Sequence, residues 1–128
     1  MNTPEVSVVM SVYNGAVHLE ETLGSVLSQE GCDLEFIVVD DGSTDGTSRI
    51  LDEWAVRDTR LRVIHQENTG LTRALIRGCA AARGEFIARQ DVGDVSLPGR
   101  LQRQARRLRA DTGCVAVTCY TEYVGPLS

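Results

Sequence analysis

Phe36-Ile37-Val38-Val39-Asp40-Asp41-Gly42-Ser43-Thr44-Asp45 reads as a buried strand that runs straight into an acidic turn. Four consecutive apolar residues, three of them β-branched, suit a strand covered on both faces. Two carboxylates, a glycine, two hydroxyls and a third carboxylate then follow. Strand, acidic turn and helix in that order place polar groups at the carboxyl edge of an α/β sheet, where such sheets bind ligands. A second acidic turn, Asp91-Val92-Gly93-Asp94, follows a second apolar stretch, Phe86-Ile87-Ala88. Two acidic strand ends in so small a chain point to a nucleotide or metal–phosphate site, and so to an enzyme.

Outward from these turns the chain alternates regularly. Val6 to Tyr13 is a short β-branched strand broken at Asn14-Gly15. Leu19, Leu23, Val26 and Leu27 recur at helical spacing. Leu34 to Asp40 is the second strand, and Ser43 or Asp45 caps a helix that buries Ile50, Leu51 and Trp54. Leu61 to Ile64 is a third strand. The next helix carries Leu71, Ala74, Leu75, Gly78, Cys79 and Ala82 on one stripe and stops at Gly84. Glu85 to Arg89 is a fourth strand. Ser96 and Pro98 open a last helix with Leu97, Leu101, Ala105 and Leu108 inward, and Cys114 to Tyr120 reads as a fifth strand. Strict alternation predicts a largely parallel sheet with helices on both faces, a three-layer α/β/α unit.

The 128 residues, 42% hydrophobic and 24% charged, suit one globular domain spanning 1–128. A net charge of -5 argues against a general nucleic-acid binder. The first residues lack the basic and apolar regions of a signal peptide, and no apolar run approaches the ~20 residues that span a bilayer. Cys32, Cys79, Cys114 and Cys119 show no metal-ligand spacing. They read as free thiols, two or three of them in the core, in a reducing cytoplasm.

The chemistry concentrates at the strand ends. Asp40 and Asp41 stand where the backbone leaves the sheet, and a carboxylate there can accept from a base N–H or a ribose hydroxyl. The following helix start offers N–H groups to an anion. Ser11, Tyr13 and Asn14 close the neighbouring strand, where a tyrosine can stack on a base. Asp91 and Asp94 suit Mg²⁺ or Mn²⁺ with phosphate oxygens as co-ligands. Capping is the bland reading for Ser43, Thr44, Asp45, Asp94 and Ser96. Asp41, Ser43, Asp45, Gly46 and Asp52 also fall at calcium-loop spacing, but the flanking element is a strand and the last residue is not glutamate. Arg100, Arg103, Arg106, Arg107 and Arg109 read first as a solvated helix face and second as a contact for an anionic membrane or lipid-linked acceptor.

Taken together, these segments resemble the family 2 glycosyltransferases. Val6 to Asn14 looks like the family's opening strand, with Ser11 in place of its usual proline. Glu21 to Gln29 resembles its first helix. Val39-Asp40-Asp41-Gly42-Ser43-Thr44-Asp45-Gly46-Thr47 is the most specific segment, and Glu67 to Leu71, Ala82 to Arg89 and Ser96 to Leu101 also match. The resemblance implies a Rossmann-like GT-A fold, C-terminally incomplete here because family members continue well beyond this length. It implies an inverting, hexosyltransferase-type transfer of sugar from a UDP- or dTDP-linked donor to a saccharide or lipid-linked acceptor hydroxyl in cell-surface polysaccharide or glycoconjugate synthesis. By the same resemblance, Ser11, Tyr13, Asn14, Asp40 and Asp41 hold the donor nucleotide, with Asp41 on the base. Asp91 and Asp94 carry Mg²⁺ or Mn²⁺ on the diphosphate. Gly93 departs from the family at the place that ordinarily binds the metal, and Leu75-Ile76 replace a polar Arg-Asn pair. The family's general base lies in sequence beyond this chain, so no catalytic residue is assigned and full activity requires that sequence. A cytoplasmic protein follows, with contact at the inner membrane face and homodimerisation as further expectations. The rival readings are a non-catalytic nucleotide-sugar-binding module and an inactive truncated fragment that associates through its last strand.

Overall fold

The computed structural model describes residues 3–124. The elements are β1 (Val6–Val12), α1 (Ala16–Leu27), β2 (Leu34–Asp41), α2 (Thr47–Arg57), β3 (Leu61–Gln66), α3 (Leu71–Ala81), β4 (Phe86–Arg89) and α4 (Arg100–Ala110). The four strands form one sheet in the order β3-β2-β1-β4, every pair parallel. β1 and β2, the central strands, are the most apolar because helices cover both of their faces. All eight residues of β2 are buried.

Strand alternation divides the core in two. Val8, Met10 and Val12 of β1 and Phe36 and Val38 of β2 meet Leu19, Leu23 and Val26 of α1, Leu51 of α2, and Leu101 and Ala105 of α4. On the opposite face α3 lies against Val9, Ile37 and Val39. It comes close because residue 78 is glycine: a Cβ there would sit 2.6 Å from Val9 Cγ1 and 3.3 Å from Val39 Cγ2. The small-residue stripe thus has the packing role its composition predicts, although Leu71 and Cys79 are exposed.

A buried polar knot ties the amino-terminal ends of β1, β2 and β3. Glu35 accepts from Ser7 Oγ at 2.6 Å, Arg62 Nη1 at 2.7 Å and the Arg83 backbone N–H at 2.7 Å. Burial raises its pKa, but these hydrogen bonds outweigh burial and hold the carboxyl at about 2.

Three expectations need correction. The stretch Cys114–Tyr120 is not a strand. It lines a cavity of about 610 Å³ with β4 and α4 but joins no ladder, and Val115 and Tyr120 are exposed. β-branched residues favour strands through half-buried packing against neighbours, and this stretch has none on most of its side chains. α4 begins at Arg100, not near Ser96, because Gly99 in the left-handed region (φ 86°) interrupts the chain and leaves Leu97 exposed. The four cysteines are all free and none is fully buried. Cys32 packs against the core, its thiol pKa raised first by burial and then by Glu5 and Asp33.

Candidate functional site

The register decides what meets at the carboxyl edge. Val12 pairs with Asp40, so β1 and β2 end side by side. β4 pairs with the first half of β1 and stops opposite Val9, and Gln90 N–H donates to Val9 O at 3.1 Å. The chain leaving β4 therefore rises beside the end of β1. Val92 lies over Gly15: a Cβ on Gly15 would fall 3.0 Å from Val92 Cγ2 and 2.7 Å from Val12 Cγ2. Tyr13, Asn14, Gly15, Val17, His18 and Val92 line a cavity of about 390 Å³ at this junction. The two acidic turns thus border one edge region. Tyr13 is 53% exposed there, as a residue that stacks on a ligand must be.

The β1–α1 and β2–α2 turns are stitched together. Asn14 N–H donates to Ser43 Oγ at 3.0 Å, and Asn14 Oδ1 accepts from Thr44 N–H at 2.7 Å. Gly15 N–H donates to Thr47 Oγ1 at 3.0 Å and Ala16 N–H to Asp45 Oδ2 at 3.3 Å. Asn14 adopts a left-handed backbone (φ 51°), which asparagine tolerates better than most residues. Ser43 and Thr44 therefore hold a second turn and do not cap α2, whose N-cap residue is Gly46, and only Asp45 also reaches the helix start, accepting from Thr47 N–H at 2.9 Å. Their hydroxyls and carboxylate read as caps in the sequence, and only the register shows that the hydroxyls partner Asn14 and the carboxylate Ala16.

The two adjacent carboxylates face opposite sides of the sheet. Asp41 points toward α3, where Oδ1 accepts from Gln66 Nε2 at 2.9 Å and Thr69 N–H at 2.8 Å, and Oδ2 accepts from Gly70 N–H at 2.9 Å. Burial raises its pKa, but the hydrogen bonds from Gln66, Thr69 and Gly70 prevail and the pKa is lowered. Asp40 points toward α2. Its Oδ1 accepts from Ser43 N–H at 3.1 Å, and Oδ2 accepts from Ser48 Oγ and meets His65 Nδ1 at 2.9 Å. Its pKa is likewise lowered, Ser43, Ser48 and His65 outweighing burial. Both carboxylates are 2% exposed. They flank the cavity and do not line it, and the calcium-loop reading fails because Asp41 and Asp52 serve different networks. Ser11 is half-buried and shares the α3-covered face with Val9.

Asp91 and Asp94 are exposed at the second turn, which closes through Asp94 N–H to Asp91 O at 3.1 Å. Arg89 Nη2 pairs with Asp91 Oδ1 at 2.8 Å. Gly93 (φ 95°) has open space where a side chain would project. No group of three or more histidine, cysteine or carboxylate side chains is poised to hold a metal among the described residues. Two exposed carboxylates suit a hard cation only where a diphosphate completes its oxygen shell.

A set of buried polar residues beneath this turn was not read from the sequence. Gln90 is 4% exposed, accepts from Ser96 Oγ at 2.7 Å and Arg100 Nη1 at 2.9 Å, and donates to Asp94 O at 3.1 Å. Thr22 Oγ1 accepts from Gly93 N–H and donates to Asp94 O, both at 3.0 Å. Gln29 Nε2 donates to Leu97 O at 2.8 Å. The acidic turn is therefore fixed from below by α1, β4 and α4. Arg100, expected on a solvated face, belongs to this support, and Arg109 pairs with Glu5 and Glu85.

Comparison with known proteins places the chain in a family. The sequence model of glycosyl transferase family 2 matches residues 7–127. EpsH of Bacillus subtilis (strain 168) is 38% identical over 123 residues, covering 96% of this chain and 36% of EpsH. A crystal structure of S. aureus TarS 1-349 with UDP-GlcNAc superposes with a TM-score of 0.75 at 28% identity, covering 83% of this chain and 31% of that one. The mannosyltransferase PcManGT from Pyrobaculum calidifontis, in complex with GDP-Man and Mn²⁺, gives 0.76 at 29% identity, covering 84% and 33%. The chain spans about a third of the length of these proteins.

Proposed function

The chain belongs to glycosyl transferase family 2 and has part of a GT-A fold, and from that premise we propose that it binds a nucleoside-diphosphate sugar as the donor portion of a glycosyltransferase. The observation that carries this reading is that the turn after β1 is joined to both acidic strand ends, by hydrogen bonds to Ser43–Thr47 and by Val92 seated on Gly15, beside a cavity lined by Tyr13 and Val92. Donor sugars bound to TarS and PcManGT support it. The proposed reaction moves a hexosyl group to a saccharide or lipid-linked acceptor hydroxyl in cell-surface polysaccharide or glycoconjugate synthesis, in a cytoplasmic setting.

Each residue has a proposed part. Tyr13 covers the base. Asp41, with Ser11 on the same face, fixes the Gln66–Gly70 loop beside the nucleoside. Asp40 and Asn14 set the two turns. Asp91 and Asp94 face the diphosphate and would hold Mg²⁺ or Mn²⁺ together with its oxygens. A bound cation there offsets charge on the leaving diphosphate. Proton removal from the acceptor is assigned to no residue of this chain.

Gly93 and the Arg89–Asp91 ion pair favour a second reading, a donor-binding module without transfer activity of its own. Calorimetric titration with UDP and GDP, with and without Mn²⁺, tests both. Nucleotide affinity that rises with Mn²⁺ supports a metal-assisted donor site. Equal affinity with and without Mn²⁺ supports the binding module. No binding of either nucleotide to a folded sample removes the donor function.

A further inference from the structure

We propose that His65, a residue with no part in the reading above, is a positioning residue for the donor end of the sheet and acts there as the doubly protonated imidazolium. The proposal rests on the donor-site reading and adds a group that sets the turn geometry from behind. His65 lies on β3 opposite Asp40. Its Nδ1 is 2.9 Å from Asp40 Oδ2 and its Nε2 is 2.7 Å from Asp52 Oδ1. Ionised carboxylates only accept hydrogen bonds, and a neutral imidazole donates from one nitrogen alone. Both contacts are satisfied together only when both nitrogens carry hydrogen.

The connection to the site is a chain of short contacts. Asp40 Oδ1 accepts from Ser43 N–H, Ser43 Oγ accepts from Asn14 N–H, and Asn14 Oδ1 accepts from Thr44 N–H. Asn14 is next to Tyr13 at the cavity. The imidazolium balances the buried Asp40 charge, which fixes the Gly42–Asp45 turn, which in turn holds the left-handed Asn14. Asp52 is 64% exposed at its side chain and Asp40 only 3%. On loss of one proton Asp52 can turn to water, whereas Asp40 has no such outlet.

The charged groups that face the ring are Asp40 from β2 and Asp52 from α2. Elsewhere on α2, Arg49 is paired with Glu53 and Arg57 lies over Trp54, and Glu67 beyond β3 is exposed. The surroundings of the ring therefore favour the cation. In accord with this the His65 pKa is raised, first by Asp52 and then, against burial, by Asp40. The contribution is complete below the ordinary imidazole pKa and is lost as pH rises through the raised one.

The test is UDP affinity from about pH 6 to pH 9 for the wild type, His65→Gln and Asp52→Asn, with amide NMR of Asn14, Ser43 and Thr44 on the same samples. At the acid end the wild type should bind about tenfold more tightly than His65→Gln. At the alkaline end the gap should narrow, because the neutral ring keeps its hydrogen bond to Asp40 but no longer offsets its charge. Asp52→Asn should move the midpoint of this change to lower pH with its acid limit intact. An affinity ratio constant across pH, or a midpoint indifferent to Asp52→Asn, overturns the proposal. If neither UDP nor GDP binds at any pH, the donor reading falls. The positioning role then stands or falls on whether the three amide shifts titrate with the His65 midpoint in the wild type and lose that transition in His65→Gln.

Discussion

Val92 rests on Gly15 so closely that a single added carbon at residue 15 would meet it at 3.0 Å. This contact makes the turn after β1 and the turn after β4 into neighbours, close enough for the proposed donor to touch both.

Gly15→Ala should separate them. The new methyl group would meet Val12 Cγ2 at 2.7 Å as well as Val92, and Gly15 has an ordinary negative φ, so the effect is steric. Overpacking of this kind costs about 1–3 kcal/mol. Urea denaturation should show that loss, and calorimetry should show weaker nucleotide binding at temperatures where the variant remains folded.

Asp41→Ala should lose stability whether or not nucleotide is present. It removes the acceptor for two backbone N–H groups and the Gln66 amide, at a cost of about 2 kcal/mol. Asp41→Asn should retain part of this. A fall in UDP affinity larger for Asp41→Ala than the matched loss of stability explains would mark direct contact with the base.

Glu35 should make the protein acid-sensitive. Its pKa lies at about 2 in the folded chain and near the ordinary glutamate value when unfolded. Its stabilisation is therefore fully present above the unfolded value and disappears as pH falls toward 2. The difference amounts to about 3 kcal/mol. Urea midpoints measured between neutral pH and pH 2 should fall through that window in the wild type. Glu35→Gln should be less stable at neutral pH and flatter with pH.

Gly93→Asp should trade stability for metal affinity. A left-handed φ of 95° penalises any side chain by about 1–2 kcal/mol, yet nothing lies within 4 Å of the new Cβ. A third carboxylate at the turn should tighten Mn²⁺ binding in the presence of UDP by about tenfold. Unchanged Mn²⁺ affinity would mean that the turn does not face the diphosphate.

Much of this edge was legible in the residue order because short-range rules govern it. The four parallel strands follow from four apolar runs separated by helical spacing, and the acidic turns follow from where those runs end. The fifth strand failed because Cys114–Tyr120 carries the composition of a strand without the neighbours that make one. Asp40 and Asp41 look like a pair in the sequence because they are adjacent, yet alternation sends them to opposite faces and into separate networks. Gln90, Thr22 and His65 are not legible in the residue order, for the opposite reason. Each is an unremarkable polar residue whose partners lie on other elements, and only the strand register brings them together.

The most direct test of a single donor site at this edge is amide chemical-shift mapping on adding UDP, and separately GDP, in the presence of Mg²⁺. The account predicts shifts clustered at Tyr13–Gly15, Gly42–Thr44 and Asp91–Asp94, with at least one nucleotide moving all three segments together. Shifts confined to one segment, or centred on the cavity between β4 and α4, would contradict it.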